Sequence, residues 1–223
     1  HMLQVLQDIA IDSIKGIGPA RSRLFAKLGV KTVADLLLLA PRRYQDWTDV
    51  KRISELENGI ECCVCGRLVS VTERRTKRKD LVITTATIDD GTGRLDVLWF
   101  GTYRRGGSFV LRRLHGENTV SVLGNVSLEY GKWVMKNPEL RTTADGPLLE
   151  PIYPLTEGLS QAVVRNVIEK AYLCYQDKLQ DPLPIEVVDR RHLVPFREAV
   201  RMLHFPHTQE EVRSAWRRLA FSE

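Results

Sequence analysis

Five cations within six residues form the densest chemical feature of this chain: Arg74-Arg75-Thr76-Lys77-Arg78-Lys79, framed by Glu73 and Asp80. Each Lys or Arg that neutralises a phosphate releases counterions, so such a run binds a polyanion in a salt-dependent way without reading sequence. A solvated basic loop is the plain alternative. The second feature is Trp99-Phe100-Gly101-Thr102-Tyr103-Arg104-Arg105-Gly106-Gly107, in which aromatics are interleaved with arginines and glycines. Aromatic faces beside phosphate partners suit unpaired bases, because every base has a π face to stack. Trp99 and Phe100 are neighbours on a strand-like run and so point to opposite faces. One belongs to a core, and the other, with Tyr103, is free to reach outward. Arg112 and Arg113 add charge further along. For any single aromatic here, core packing and base contact both stand. The third feature is the turn Lys15-Gly16-Ile17-Gly18, followed by Pro19 and Arg21. It would aim backbone N–H groups at a phosphate from a helix N-terminus, and it serves equally well to pack against a neighbouring domain.

Catalytic chemistry is harder to find. No GxxxxGK[ST] phosphate cradle, HExxH pair or nucleophile elbow occurs in the 223 residues, so neither P-loop ATP binding nor a catalytic residue is expected. Asp89-Asp90 precedes Gly91-Thr92-Gly93, where Asp ordinarily satisfies the backbone N–H groups of a turn. His204 sits in a corner, His204-Phe205-Pro206-His207, and reads as a packed histidine; His115 and His192 are isolated. Cys62, Cys63 and Cys65 crowd together and Cys174 stands alone. That is no disulfide framework and not the spacing of a zinc site, so buried strand thiols and no metal are expected.

A hydrophobic share of 43% with 27% charged residues describes an ordinary globular chain rather than a disordered or fibrous one. No apolar run is long enough to cross a bilayer, no signal peptide is visible, and His1-Met2 reads as a cloning remnant. The net charge of +5 is unevenly spread: residues 61–115 carry eleven Lys/Arg against six Asp/Glu, whereas 1–60 has a surplus of two and 116–223 a deficit of two. The excess lies where the two basic features are.

The elements that must position these residues follow from periodicity. Pro19 opens a helix carrying Ala20, Leu24 and Leu28 that Gly29 closes, and a second helix runs from Thr32 until Pro41 stops it. Together they make a helix-hairpin-helix candidate. Strand patterns follow at Ile60–Val71, Leu81–Ile88, Arg94–Phe100, Thr119–Val126 and Lys132–Met135, the last after a turn at Tyr130-Gly131. Five antiparallel strands with a long insertion between the third and fourth match an OB-fold, whose first hairpin loop is where such barrels clasp oligonucleotides. Residues 74–79 occupy that loop. Beyond residue 146, Pro147, Pro151 and Pro154 punctuate a linker. A helix capped by Ser160 runs to Leu179, Pro182 and Pro184 break it, and helical pieces return near 196–203 and 209–219. The fold class is therefore α+β and multi-domain. Residues 3–52 form an N-terminal helical hairpin domain, 53–145 a five-stranded antiparallel OB-fold barrel, and 146–223 a C-terminal helical linker.

Taken in order, these pieces resemble the N-terminal wedge region of the bacterial RecG helicase family. The resemblance is carried by Ile14-Lys15-Gly16-Ile17-Gly18-Pro19, by Leu36-Leu37 leading to Pro41-Arg42-Arg43-Tyr44, by Ile88-Asp89-Asp90-Gly91-Thr92-Gly93 with Trp99-Phe100, and by Asn137-Pro138-Glu139. It continues through Pro151-Ile152-Tyr153-Pro154-Leu155-Thr156-Glu157-Gly158-Leu159-Ser160, His204-Phe205-Pro206 and Arg217-Arg218-Leu219-Ala220-Phe221. The resemblance implies the DNA-gripping part of an ATP-dependent helicase that remodels stalled replication forks and Holliday junctions in recombination and repair. The barrel would be the wedge at the branch point. An aromatic pair just after the third strand would stack on bases unpaired there; by position these are Phe100 and Tyr103, one residue closer together than the family pattern. Phosphate contacts fall to Arg74, Arg75, Lys77, Arg78, Lys79, Arg104 and Arg105, with Lys15, Gly16, Gly18 and Arg21 as a helical-hairpin contact. The implied partners are branched DNA (forks, Holliday junctions, R-loops) and a single-strand DNA-binding protein, for a monomer in the bacterial cytoplasm at the nucleoid. The chain stops at Glu223, near where the first motor lobe would begin. This piece alone is expected to need no cofactor and to hydrolyse no ATP, while ATP and Mg²⁺ serve the whole enzyme. A generic single-stranded-DNA-binding OB module without branch preference is the alternative, and a nuclease the third possibility.

Overall fold

Alternating apolar and polar residues from about position 60 onward build a barrel, and the apolar helical faces on either side of it in sequence build a second core. The structure is a computed structural model that describes residues 2–77, 81–102, 108–142, 148–179 and 181–222. The chain divides into two compact units: residues 47–146, and the flanking stretches 1–46 and 147–223 together.

In the first unit the strands are β2 (Glu61–Arg75), β3 (Leu81–Asp89), β4 (Arg94–Thr102), β5 (Thr119–Glu129), β6 (Lys132–Lys136) and β7 (Glu139–Arg141). The ring runs β2-β3-β4-β6-β5 and closes from β5 back to β2, with β7 added on β5. This corrects the all-antiparallel expectation. Directions that alternate around a closed ring need an even number of strands, so a ring of five must contain a parallel pair. That pair is β4–β6, from Leu95↔Trp133 to Leu98↔Lys136. β2 serves both sides of the closure, pairing with β5 over Glu61–Arg67 and with β3 over Arg67–Arg75, with a register shift between Leu68 and Ser70. Gly66 lies at this handover. A Cβ there would stand 2.7 Å from the Ile88 side chain and 2.8 Å from the Asp89 carbonyl oxygen, so the strands approach too closely for any other residue. Val64, Ala86, Ile88, Leu95, Val97, Val122 and Met135 fill the interior. The insertion between β4 and β5 contains a helix, α4 (Phe109–Leu114), whose Leu114 is buried in the same core.

The second unit comprises α1 (Met2–Gln7), α2 (Pro19–Lys27), α3 (Val33–Leu37), β1 (Arg43–Asp46), β8 (Leu149–Ile152), α5 (Gln161–Tyr175), α6 (Ile185–Arg190), α7 (Phe196–His204) and α8 (Gln209–Ser222). Pro19 takes the first position of α2, and Gly29 follows its end at φ +79. Thr32 caps α3 in a reciprocal box with Asp35. Phe25, Leu36 and Leu37 from the N-terminal stretch share one core with Val164, Ile168, Phe196 and Val200 from the C-terminal stretch. The outer sequence divisions, 3–52 and 146–223, thus fall largely into one unit. Part of the expected proline-punctuated linker is β8, paired antiparallel with β1; a two-stranded ribbon leaves an edge where Pro151 needs no N–H. Among the described residues no helix is long and apolar enough to cross a membrane.

Candidate nucleic-acid interface

Along β4 the odd-numbered side chains Leu95, Val97 and Trp99 are buried while Arg94 and Phe100 are exposed. Paired residues of neighbouring strands share a face, so the register sets out the outer surface row by row. Arg74 pairs with Ile83 and Ile83 with Phe100. The next row is Thr72, Thr85, Leu98 and Lys136. Arg74 and Phe100 stand two strand spacings apart, about 10 Å. Arg74 of the basic run and Phe100 of the aromatic segment, far apart in sequence, therefore share one face of the barrel.

Phe100 is 40% exposed, Trp99 only 7%, which decides which of the two points outward. A short corner holds both. Trp99 Nε1 donates to the Pro138 carbonyl at 3.0 Å, Phe100 N donates to Asn137 Oδ1 at 2.9 Å, and Asn137 N donates to the Leu98 carbonyl at 2.7 Å. Nothing in residue spacing pointed to Asn137 and Pro138 as the support of the aromatic pair, although both belong to the Asn137-Pro138-Glu139 signature. Beside Phe100 runs a groove bordered by Thr102, Phe109 and Arg112. Phe109, on the first turn of α4, is a second exposed aromatic, with the Arg113 guanidinium 6.0 Å from its ring centroid. Residue spacing alone does not single it out, because the six residues of α4 are too few to show a helical period. Its signal was Ser108, which caps α4 by accepting from Leu111 N and is tied to Thr84 Oγ1 at 2.9 Å and to Glu73 Oε2 through its own N–H.

At the loop between β2 and β3, Arg74, Arg75 and Lys77 are exposed, and Thr76 closes its base through N and Oγ1 contacts to the Leu81 carbonyl. Arg78, Lys79, Tyr103, Arg104 and Arg105 lie outside the described residues. The turn at Lys15–Gly18 belongs to the other unit. There Gly16 stands at φ +100, Arg21 Nη1 donates to the Gly16 carbonyl at 2.9 Å, and Lys170 Nζ reaches the Lys15 carbonyl at 3.4 Å. Arg21 thus braces its own turn.

The remaining candidates are structural. Burial pushes the Asp90 carboxyl up, but donors from Ile53 N, Thr92 and Gly93 N outweigh it and hold the group below the usual carboxylate range. Its partner Asp89 accepts from Gly91 N at 2.8 Å. Cys62 and Cys63 are buried on β2, with desolvation raising the Cys62 thiol. Among the described residues no group of three or more His, Cys, Asp or Glu is placed to hold a metal ion. His204 is fully packed, its Nδ1 2.8 Å from the Tyr153 hydroxyl and its Nε2 2.6 Å from the Leu37 carbonyl.

Comparison with known proteins places this geometry. The family model described as the RecG wedge domain matches residues 10–174. The ATP-dependent DNA helicase RecG of Thermotoga maritima is 32% identical over 96% of this chain and 27% of its own length. That of Synechocystis is 30% identical over 91% of the chain and 26% of its length, and that of Escherichia coli K12 31% identical over 91% and 29%. The chain thus spans less than a third of these relatives. A solved structure of RecG bound to a three-way DNA junction superposes with a TM-score of 0.76 at 29% identity, covering 95% of this chain and 29% of that one.

Proposed function

The chain belongs to the RecG wedge-domain family, and from that premise we propose that its barrel binds branched DNA at the branch point. Phe100 stacks on a base left unpaired there while Arg74, Arg75 and Lys77 neutralise phosphates. The observation that carries this reading is the row Arg74–Ile83–Phe100 on one outer face. It gives a strand of nucleic acid a π surface and a cation within about 10 Å of each other. A base stacked on an aromatic is worth about 1–3 kcal/mol and does not depend on its identity, which suits recognition of shape over sequence. Arg78, Lys79, Arg104, Arg105 and Tyr103 extend the same two features. The Lys15–Gly18 turn is a secondary contact, in which Arg21 would have to exchange the Gly16 carbonyl for a phosphate.

Replication forks, Holliday junctions and R-loops are the substrates of this reading. The ATP and Mg²⁺ of an ATP-dependent helicase act outside these residues, since the sequence has no GxxxxGK[ST] cradle. The protein works as a monomer in the bacterial cytoplasm at the nucleoid, with single-strand DNA-binding protein as a partner.

The test is binding of a fork and of linear duplex at matched salt, repeated with Phe100→Ala and with the cations of 74–79 neutralised. We expect the wild type to favour the fork. Neutralising the loop lowers affinity for every DNA and flattens the salt dependence, whereas Phe100→Ala erodes the fork preference by about tenfold. Equal weakening of all substrates by both changes would sink the wedge role of Phe100. A preference for plain single strands with no premium for a branch would favour the generic OB module.

A further inference from the structure

The hairpin between β5 and β6 turns on two residues, Tyr130 and Gly131, flanked by the pair Glu129↔Lys132. Both turn residues have positive φ, +51 and +76, the pattern of a type I′ turn, in which Asn-Gly or Asp-Gly is favoured. Tyrosine is poorly suited to the left-handed region, and here the residue is fully exposed, so no side-chain burial offsets the strain. A strained, solvent-facing aromatic argues for a role outside folding.

Its surroundings indicate which role. A shallow hollow beside the turn is lined by Thr87, Arg94, Asp96, Gly131, Lys132 and Trp133. Arg94 and Asp96 lie on β4 at the same outward-facing parity as Phe100, with Arg94 six residues away, or about 20 Å along an extended strand. Stacked nucleotides rise by about 3.4 Å each, so this distance corresponds to about six of them, within the site sizes of OB folds. The cations at this end are outnumbered: Arg94 stands 3.4 Å from Asp89, and exposed Lys132 shares the hollow with Asp96 and is paired across the hairpin with Glu129, so two cations face three carboxylates. Little phosphate neutralisation is available, which leaves the ring as the binding feature.

We propose that Tyr130 is a further base-stacking residue, so that a single strand held at Phe100 runs along β4 and meets Tyr130 at the far end of the same face. This rests on the function proposed above for where the strand begins, but its test separates the two. The whole chain is titrated with branched DNA carrying a single-stranded arm of about three or about ten nucleotides, using wild type, Tyr130→Asn, Tyr130→Phe and Phe100→Ala. The wild type gains affinity from the longer arm. Tyr130→Asn loses that gain, about tenfold for one stacked base, with an unchanged salt slope and a melting temperature equal or higher, because Asn suits the turn. Tyr130→Phe keeps the gain. Wild-type affinity that ignores arm length, or Tyr130→Asn that binds the longer arm like wild type or loses equally on both arms, overturns the inference. Loss of fork preference in Phe100→Ala with a silent Tyr130→Asn would sink this inference alone. An arm-length gain that depends on Tyr130 but shows no premium for a branch would sink the wedge reading and leave Tyr130 standing.

Discussion

At Asn137 the backbone stands at φ +50, a conformation that asparagine tolerates better than most side chains. From there its amide oxygen accepts the Phe100 N–H. The exposed ring is therefore aimed by a hydrogen bond on its backbone and by the inward anchoring of Trp99 on the Pro138 carbonyl, with no need of a packed pocket. Asn137→Ala removes the acceptor and adds left-handed strain, which together cost about 1–2 kcal/mol. We expect a lowered unfolding midpoint and an eroded fork preference with the salt slope intact. Asn137→Asp keeps both the acceptor and the tolerance for positive φ, and should restore much of the preference. Equal fork binding by Asn137→Ala and wild type would show that Phe100 does not need this support.

Strand β2 carries the closure of the barrel because it is shared between β3 and β5, and the crowding at Gly66 is where that sharing occurs. Gly66→Ala drives a methyl group into the Ile88 side chain and the Asp89 backbone, and overpacking of this kind costs about 1–3 kcal/mol. Chemical denaturation followed by tryptophan fluorescence, to which Trp99 and Trp133 of the barrel core contribute, should show the loss, and an unchanged midpoint would mean that β2 can shift. How much of this was legible beforehand varied with the range of the cause. The five strands, the Pro19 start of α2 and the Ser160 cap of α5 could be read because local periodicity and capping chemistry dictate them. The parallel β4–β6 pair could not, although the strand count required one. Ribbon β1–β8 was hidden because its partners lie a hundred residues apart, and α4 because six residues are too few to show a helical period. At the candidate site, Arg74 and Phe100 were each legible as chemistry. Their meeting in one row was not, since it depends on register across three strands.

For the molecule as a whole, His204 marks how the two ends of the chain are joined. A carbonyl can only accept, so Nε2 donates to Leu37 of the N-terminal stretch and Nδ1 accepts the Tyr153 hydroxyl from the C-terminal one. Burial pushes the imidazole down to about 4, against the pull of the Leu37 hydrogen bond; the unfolded chain returns it to about 6.5. Between those values only the unfolded state takes up the proton. The contribution of His204 is intact above about pH 6.5 and is lost as pH falls toward 4, by roughly 3 kcal/mol. Amide exchange in α5 and α7 should accelerate across that window, and His204→Gln should flatten the dependence; an identical pH slope in the variant would remove His204 as its source. The pairing of Asp46 with Leu149 has one more consequence, in time rather than in space. During synthesis, residues 47–146 are complete and able to close their barrel while Phe25, Leu36 and Leu37 still wait for the helices that will cover them. The helices of residues 1–46 are made before the barrel and completed only after it, and their apolar faces stay uncovered for the whole of that interval.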